Sequence, residues 1–202
     1  FIDYKGIVVD VEARTVMLRR SGMRLGAGGI VKGLALDKAS RALKQAGIKD
    51  FMMLGGGQVI VSGKRGVRPW RVGIRHPRRP DYYAVVEATS GSVSTSGDYE
   101  RAFVKNGRRW HHLIDPRSGY PADGSVSVTV LSQSGLYADA MSTALFVSGA
   151  ERATQMLETA PERAEVVVVG PDLELFFSPG LRDRLYLRKP LRDGRLALMN
   201  SD

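Results

Sequence analysis

The feature that most constrains this chain is the length of its apolar runs. The longest, such as Val166–Val169, are strand-sized, against the about 18–20 residues of a membrane span. They recur between turn residues. Residues 7–19 alternate, with a turn near Glu12–Arg14; Phe51–Leu54 reads as a buried strand that Gly55-Gly56-Gly57 breaks before Gln58–Ser62 resumes it. Trp70–Arg75, Tyr82–Ala88 and Ser92–Ser96 are further strands, and Asn106-Gly107 between two more is a strong hairpin signal. Ser125–Val130 alternates strictly with its valines on one face, as a half-buried strand does, and closing strands are expected at Glu165–Val169 and Leu173–Phe177. Helical spacing is confined to Leu34, Ala35, Ala39, Leu43 and Ala46 before Gly47, to Leu136–Val147 before Gly149, and to Glu151–Thr159 before Pro161. Runs of strands with few helices, and no regular βαβ alternation, predict an α+β fold.

At 202 residues, 43% hydrophobic and 25% charged, the chain can bury roughly 70% of its unfolded surface. Its composition excludes wholesale disorder, collagen and coiled coil. Lys and Arg number 30 against 21 Asp and Glu, a net charge of +9, which favours anionic partners. Those basic residues, from Lys64-Arg65 through Arg78-Arg79 and Arg108-Arg109 to Arg188-Lys189, are dispersed among strands and turns. No helix carries them as a stripe and no nucleic-acid module accompanies them, so nucleic acid is not the expected partner. With no cysteine, disulfides, thiolate metal sites and thiol nucleophiles are excluded together. The chain starts at Phe1 inside an alternating pattern, without an initiating Met or a signal-peptide pattern. It reads as a fragment or processed form, with one domain over residues 1–187 and a basic tail over 188–202.

Four segments hold the candidate chemistry. Gly26-Ala27-Gly28-Gly29 feeds the helix that begins near Val31-Lys32-Gly33, a place where backbone N–H groups and Lys32 suit a phosphate; taken alone it is a weak signal that reads first as a structural turn. It lacks the spacing of a P-loop or a dinucleotide fingerprint. In Tyr137–Ala144, Asp139, Ser142 and Thr143 stand at i, i+3 and i+4 on one helical face, a hard-oxygen set suited to Mg²⁺; the alternative is a helix-terminal anion with two surface hydroxyls. In His111–Gly119, strand alternation puts His112 with Ile114 and His111 with Leu113 and Asp115, so one histidine is free to be structural while the other acts as acid or base; Asp115 can simply cap the following turn. Ser94–Arg101 is polar, reads as outside any buried strand, and would present hydroxyls and Tyr99 to a ligand; His76, before Pro77, reads as exposed.

In this order the segments resemble the ApbE family of FAD-dependent flavin transferases, formerly called thiamine biosynthesis lipoproteins. The matching text is Gly26–Gly33, Gly56–Val59, Ser96–Arg101, His112–Pro121 and Ala138-Asp139-Ala140 with Thr143-Ala144. The resemblance implies a fold of T-fold-like antiparallel sheets with packed helices, here lacking an N-terminal part. It implies a Mg²⁺-requiring enzyme that splits the diphosphate of FAD, passes FMN to a Thr or Ser hydroxyl of a target protein and releases AMP. By the same carry-over Asp139, Thr143 and Ser142, with the Gly29 carbonyl, form the metal site, His112 is the catalytic base, and Gly26, Lys32, Gly56, Gly57 and Ile114 lie at FAD-binding positions. The implied target belongs to membrane electron-transport machinery, and the implied location is a lipid anchor on the periplasmic side of a bacterial inner membrane. Two departures stand out: Gly26 replaces the family's common Asp, and Leu54 and Gln58 replace the Asn and Asp that often flank the second glycine pair. Hydrolysis of FAD to FMN and AMP, and FAD binding with little turnover, are the alternatives that the same motifs leave open.

Overall fold

The structure, a computed structural model, describes residues 3–188, 191 and 196–198. Its strands are β1 (Ile7–Asp10), β2 (Thr15–Leu18), β3 (Phe51–Gly55), β4 (Gln58–Ser62), β5 (Trp70–Arg75), β6 (Tyr82–Ala88), β7 (Ser90–Gly97), β8 (Ala102–Lys105), β9 (Arg108–His111), β10 (Ser127–Ser132), β11 (Ala164–Val169), β12 (Leu175–Phe177), β13 (Leu185–Leu187) and β14 (Leu196–Leu198). Its helices are α1 (Val31–Gln45), α2 (Gly135–Ser148) and α3 (Ala150–Glu158). A seven-stranded sheet in the order β14-β12-β11-β10-β7-β4-β3 is antiparallel except where β14 runs beside β12. A three-stranded sheet, β13-β6-β5, and the hairpins β1-β2 and β8-β9 complete the α+β fold.

The large sheet is covered on both faces, and the alternation of its strands feeds two cores. Val128, Val130, Val166 and Val168 point to α2 and α3, where they meet Ala138, Leu145, Phe146 and Ala153. Val61, Val93, Leu131, Val167 and Val169 point the other way, onto Val72, Ile74, Tyr83 and Val86 of the small sheet. Each such side chain removed from water contributes about 1.5–3 kcal/mol before the entropy of ordering it is set against that gain. This double cover corrects three expectations. The strand around Ser125–Val130 is buried on both faces, because Val128 and Val130 face the helices while Val126 joins the core under the small sheet and Thr129 bonds Thr95 across the pair. Ser92 and Ser94 are buried within β7, whose small serines let α2 lie close against the sheet, and Asp98 is buried just past its end. His76 is buried too, 2% exposed, edge-on to Tyr83.

Two glycine turns close hairpins, one of them expected at Asn106-Gly107 and the other not. Asn106-Gly107 and Gly56-Gly57 both take left-handed φ values, 52° and 73° in one and 57° and 83° in the other, which lets the strands reverse with their natural twist. The glycine triplet therefore reverses the chain instead of interrupting one strand, and β3 becomes the sheet edge, with Leu54 74% exposed where a buried strand was expected. Of the expected basic tail, residues 189–190, 192–195 and 199–202 lie outside the described residues.

Candidate active site

Two glycines bring α1 and α2 together. A Cβ on Gly33 would collide with the Gly135 carbonyl, and one on Gly135 would lie 2.9 Å from the Gly33 carbonyl, so the helices touch through backbone where any side chain would separate them. At this crossing each helix supplies a carboxylate to the other's first turn. Asp37 of α1 accepts from the N–H groups of Gly135 (2.7 Å) and Leu136 (3.0 Å) and from the Ser134 hydroxyl (3.4 Å). Asp139 of α2 accepts with Oδ2 from the Gly33 N–H (3.1 Å). α1 needs that bond, because its own N-cap residue, Ile30, makes no side-chain cap, and unpaired first-turn N–H groups are costly when buried.

Asp139 keeps its second oxygen for a cation. Lys32 Nζ donates to Oδ1 at 2.8 Å and to the Gly28 carbonyl at 3.2 Å. The carboxylate side chain is 4% exposed and the ammonium-bearing one 37%, so a desolvated anion faces a cation that reaches water. Around them stand hydroxyls. Ser142 donates to the Asp139 carbonyl at 2.9 Å, and Ser96 of β7 bonds Ser142 at 2.9 Å and Thr143 at 3.2 Å. A Cβ on Gly29 would lie 3.7 Å from Thr143 Oγ1, which places that glycine of the loop beside the helix face.

This donor set fits a hard divalent cation. Oδ1 and the Gly28 carbonyl already hold one positive charge between them, and Thr143 adds a neutral oxygen next to Gly29. Among the described residues no cluster of three or more His, Cys, Asp or Glu side chains could hold a metal, so an ion held here would have one carboxylate ligand and would take its other positions from neutral oxygens, waters or phosphate. Ser142 is fully buried with its hydroxyl engaged; it backs the site rather than lining it.

The histidine segment rests on the same helix. His111 stands edge-on to Phe146 of α2, one turn past Thr143, and Leu113 joins the α2 core. His111 Nδ1 accepts from the Leu113 N–H at 3.3 Å, which leaves Nε2 to donate to the Ala122 carbonyl at 3.0 Å. Burial, partly opposed by that carbonyl, holds its pKa below the ordinary imidazole value. His111 is thus the structural histidine. His112 points outward. Partial burial of its ring, and next the Arg101 guanidinium, lower its pKa as well, while a ring N–H hydrogen-bonds the Arg101 backbone. A neutral imidazole that donates with one nitrogen keeps a lone pair on the other.

Asp115 caps the following turn. Its carboxylate accepts from the Arg117 backbone at 2.9 Å and from the Arg117 guanidinium, whose hydrogen bonds hold its pKa down. Ile114 pairs with Pro121 across that turn. Tyr99, expected to face a ligand, instead packs on Gly97, and burial pushes its phenol up to about 12. It is no base at neutral pH.

A model of the ApbE family matches residues 1–168. This chain belongs to that family. It is 40% identical over 178 residues to a Rhodobacter capsulatus protein named FAD:protein FMN transferase, covering 88% of this chain and 34% of that one. A Klebsiella pneumoniae protein of the same name is 33% identical, with 93% and 58% covered. The crystal structure of an ApbE protein from Thermotoga maritima superposes with a TM-score of 0.80 at 36% identity, over 93% of this chain and 60% of that one. The flavin transferase ApbE from Vibrio cholerae gives 0.75 at 27% identity, over 90% and 59%. The ApbE-family segment described here therefore spans about a third to three-fifths of the length of these relatives.

Of the residues the ApbE resemblance nominates, the fold draws Lys32, Gly56, Gly29, Asp139, Ser142 and Thr143 into one neighbourhood. Gly56 belongs because a Cβ there would lie 2.7 Å from the Lys32 stem. Gly26 and Gly57 have open space where a side chain would be, and the segment that carries His112 and Ile114 packs on α2 through His111 and Leu113, farther along that helix at Phe146. The carbonyl that meets the Lys32 ammonium is that of Gly28, one residue before the expected Gly29. Sequence reasoning left three participants without the roles they have here. Ser96, among the hydroxyls expected to face a ligand, instead bonds Ser142 and Thr143, and Gln58 stands in the sequence only as a departure from the family pattern. Asp37, four residues after Gly33 on the same helical face, carried a usable signal. Gln58, 1% exposed, ties β4 to β7 and α2 by donating to Ser92 Oγ at 2.9 Å and the Gly135 carbonyl at 2.8 Å.

Proposed function

We propose that this chain carries the catalytic part of a Mg²⁺-dependent FAD:protein FMN transferase. The observation that carries the reading is Asp139: a nearly water-free carboxylate whose free oxygen already faces a cation, at the start of α1 and on the helix against which the His112 segment packs. A target Thr or Ser hydroxyl attacks the FMN-side phosphorus of FAD, an O–P bond forms, the P–O bond of the diphosphate breaks, and AMP leaves. Phosphoryl transfer asks the protein mainly for positioning and charge neutralisation. His112 takes the hydroxyl proton, for which a neutral imidazole at an exposed position is suited. The open loop at Gly26–Gly29 and the turn at Gly56-Gly57 leave backbone accessible to the diphosphate. Asp139, the Gly28 or Gly29 carbonyl and Thr143 would hold Mg²⁺, which supplies charge neutralisation at phosphate oxygens when bound. In this reading the acceptor belongs to membrane electron-transport machinery on the periplasmic side.

The test is incubation with FAD, Mg²⁺ and an acceptor protein, scored by covalent flavin on the acceptor and stoichiometric AMP. Folded protein that yields neither product refutes the proposal. AMP and FMN in the absence of any acceptor would mark the hydrolase instead, with water in place of the hydroxyl at the exposed His112.

A further inference from the structure

The buried half of the Lys32–Asp139 pair sets a condition on the site. A carboxylate 4% exposed cannot stand without a compensating cation, because an unpaired buried charge costs several kcal/mol even after relaxation. Lys32 meets that condition with its ammonium on Oδ1 and on the Gly28 carbonyl. A divalent ion taking Oδ1 and that carbonyl would need the space the ammonium fills, and two cations on one oxygen repel strongly in so dry a setting. The lysine is built to yield. Its side chain is 37% exposed, its stem lies over Gly56, and Gly28, whose carbonyl the ammonium meets, has open space where a side chain would stand.

We propose that Lys32 is an exchange cation: its ammonium occupies the Asp139 site when no metal is bound, and metal binding displaces it toward the open, glycine-walled side, where its charge becomes available to the diphosphate of the substrate. This rests on the reading of Asp139 as a metal ligand given above. Metal and ammonium are then alternatives at one oxygen pair, and an anion that draws the ammonium away raises metal affinity by the reciprocity of linked equilibria. Lys32 acts here as a positioning residue that keeps the empty site neutral and preformed.

The experiment titrates the whole protein with Mg²⁺ alone while following the Lys32 ammonium by ¹⁵N-detected NMR, its resonance assigned by its loss in Lys32→Met. Calorimetry on wild type, Lys32→Met and Asp139→Asn gives Mg²⁺ affinities. The expected result is that the slowly exchanging, hydrogen-bonded ammonium signal disappears at saturating Mg²⁺ and that Lys32→Met binds Mg²⁺ about tenfold more tightly, the equivalent of ~1.4 kcal/mol. An ammonium signal unchanged at saturating Mg²⁺ overturns the exchange, while loss of Mg²⁺ binding in Asp139→Asn still upholds the metal site. Wild-type affinity in Asp139→Asn overturns the metal-site reading and the exchange with it.

Discussion

Asp37 and Asp139 do the same thing at the same helix crossing, and the difference between them separates structure from chemistry. Each reaches from one helix to the first turn of the other. Asp37 commits both oxygens to N–H groups and a hydroxyl of the α2 start, so it holds no charge in reserve. Asp139 satisfies Gly33 with Oδ2 alone and turns Oδ1 to Lys32. One carboxylate is a cap, and the other is a cap that also pairs with a cation. Asp139 is the more buried of the two, and the count of backbone donors facing each carboxylate separates their roles.

That contrast can be broken most sharply at Asp139. Asp139→Asn keeps an oxygen for the Gly33 N–H but removes the charge. Transfer is expected to fall by about 10³-fold or more, with several kcal/mol of charge stabilisation lost, while thermal unfolding moves little; equal losses of activity and stability would erase the distinction from Asp37. His112→Ala is next, with a fall of about 10²–10⁴-fold in turnover and an unchanged melting curve. Since the His112 pKa is lowered, the wild-type rate should be level from neutral pH upward and decline only below about 6.5, the unperturbed imidazole value. A rate that rises steeply above pH 8 would assign the base elsewhere.

The mirror test is at the crossing itself. Gly33→Val should cost about 3 kcal/mol or more, read from urea unfolding, because the added side chain meets backbone that cannot yield. Asp37→Asn should cost about 1–2 kcal/mol by leaving one α2 donor unmet, with turnover per folded molecule within about twofold of wild type. The smallest effect is on pH. His111 and His112 both titrate lower in the folded chain than in the unfolded one, so the unfolded chain binds more protons as pH drops. Stability is then full above about pH 6.5 and declines as the pH falls from there toward the folded values. His111→Gln, which can still bond the Ala122 carbonyl, should flatten that decline in unfolding curves between pH 7 and 5.

Much of this was readable in the residues. Two-residue alternation located most strands, and Asn106-Gly107 marked a hairpin because left-handed φ is cheap there; the same chemistry at Gly56-Gly57 reads in the sequence only as a break in one strand. The misjudged segments share one cause. Ser94–Asp98 and His76 are polar, and local pattern assigns polar residues to the surface; they are buried because a second sheet or a helix covers them and supplies partners, such as the Arg78 fork on Asp98 at 2.6 and 2.7 Å. Phe51–Leu54 erred the other way, since nothing pairs with the outer edge of β3 among the described residues.

The sequence by itself determined the period of each element, the points where the chain reverses, and, through its motifs, the family to which it belongs. It also determined that any chemistry would run on oxygen, imidazole or a cofactor, for want of a single thiol. Only the tertiary structure decided which oxygen faces a cation. Lys32 and Asp139 are separated by 107 positions, and Ser96 and Thr143 by 47. Local periodicity has no information at such range: these groups become neighbours because two glycines admit one helix to the backbone of another and a row of serines admits that helix to the sheet. Burial then makes the unpaired oxygen of Asp139 too costly to leave without a positive charge.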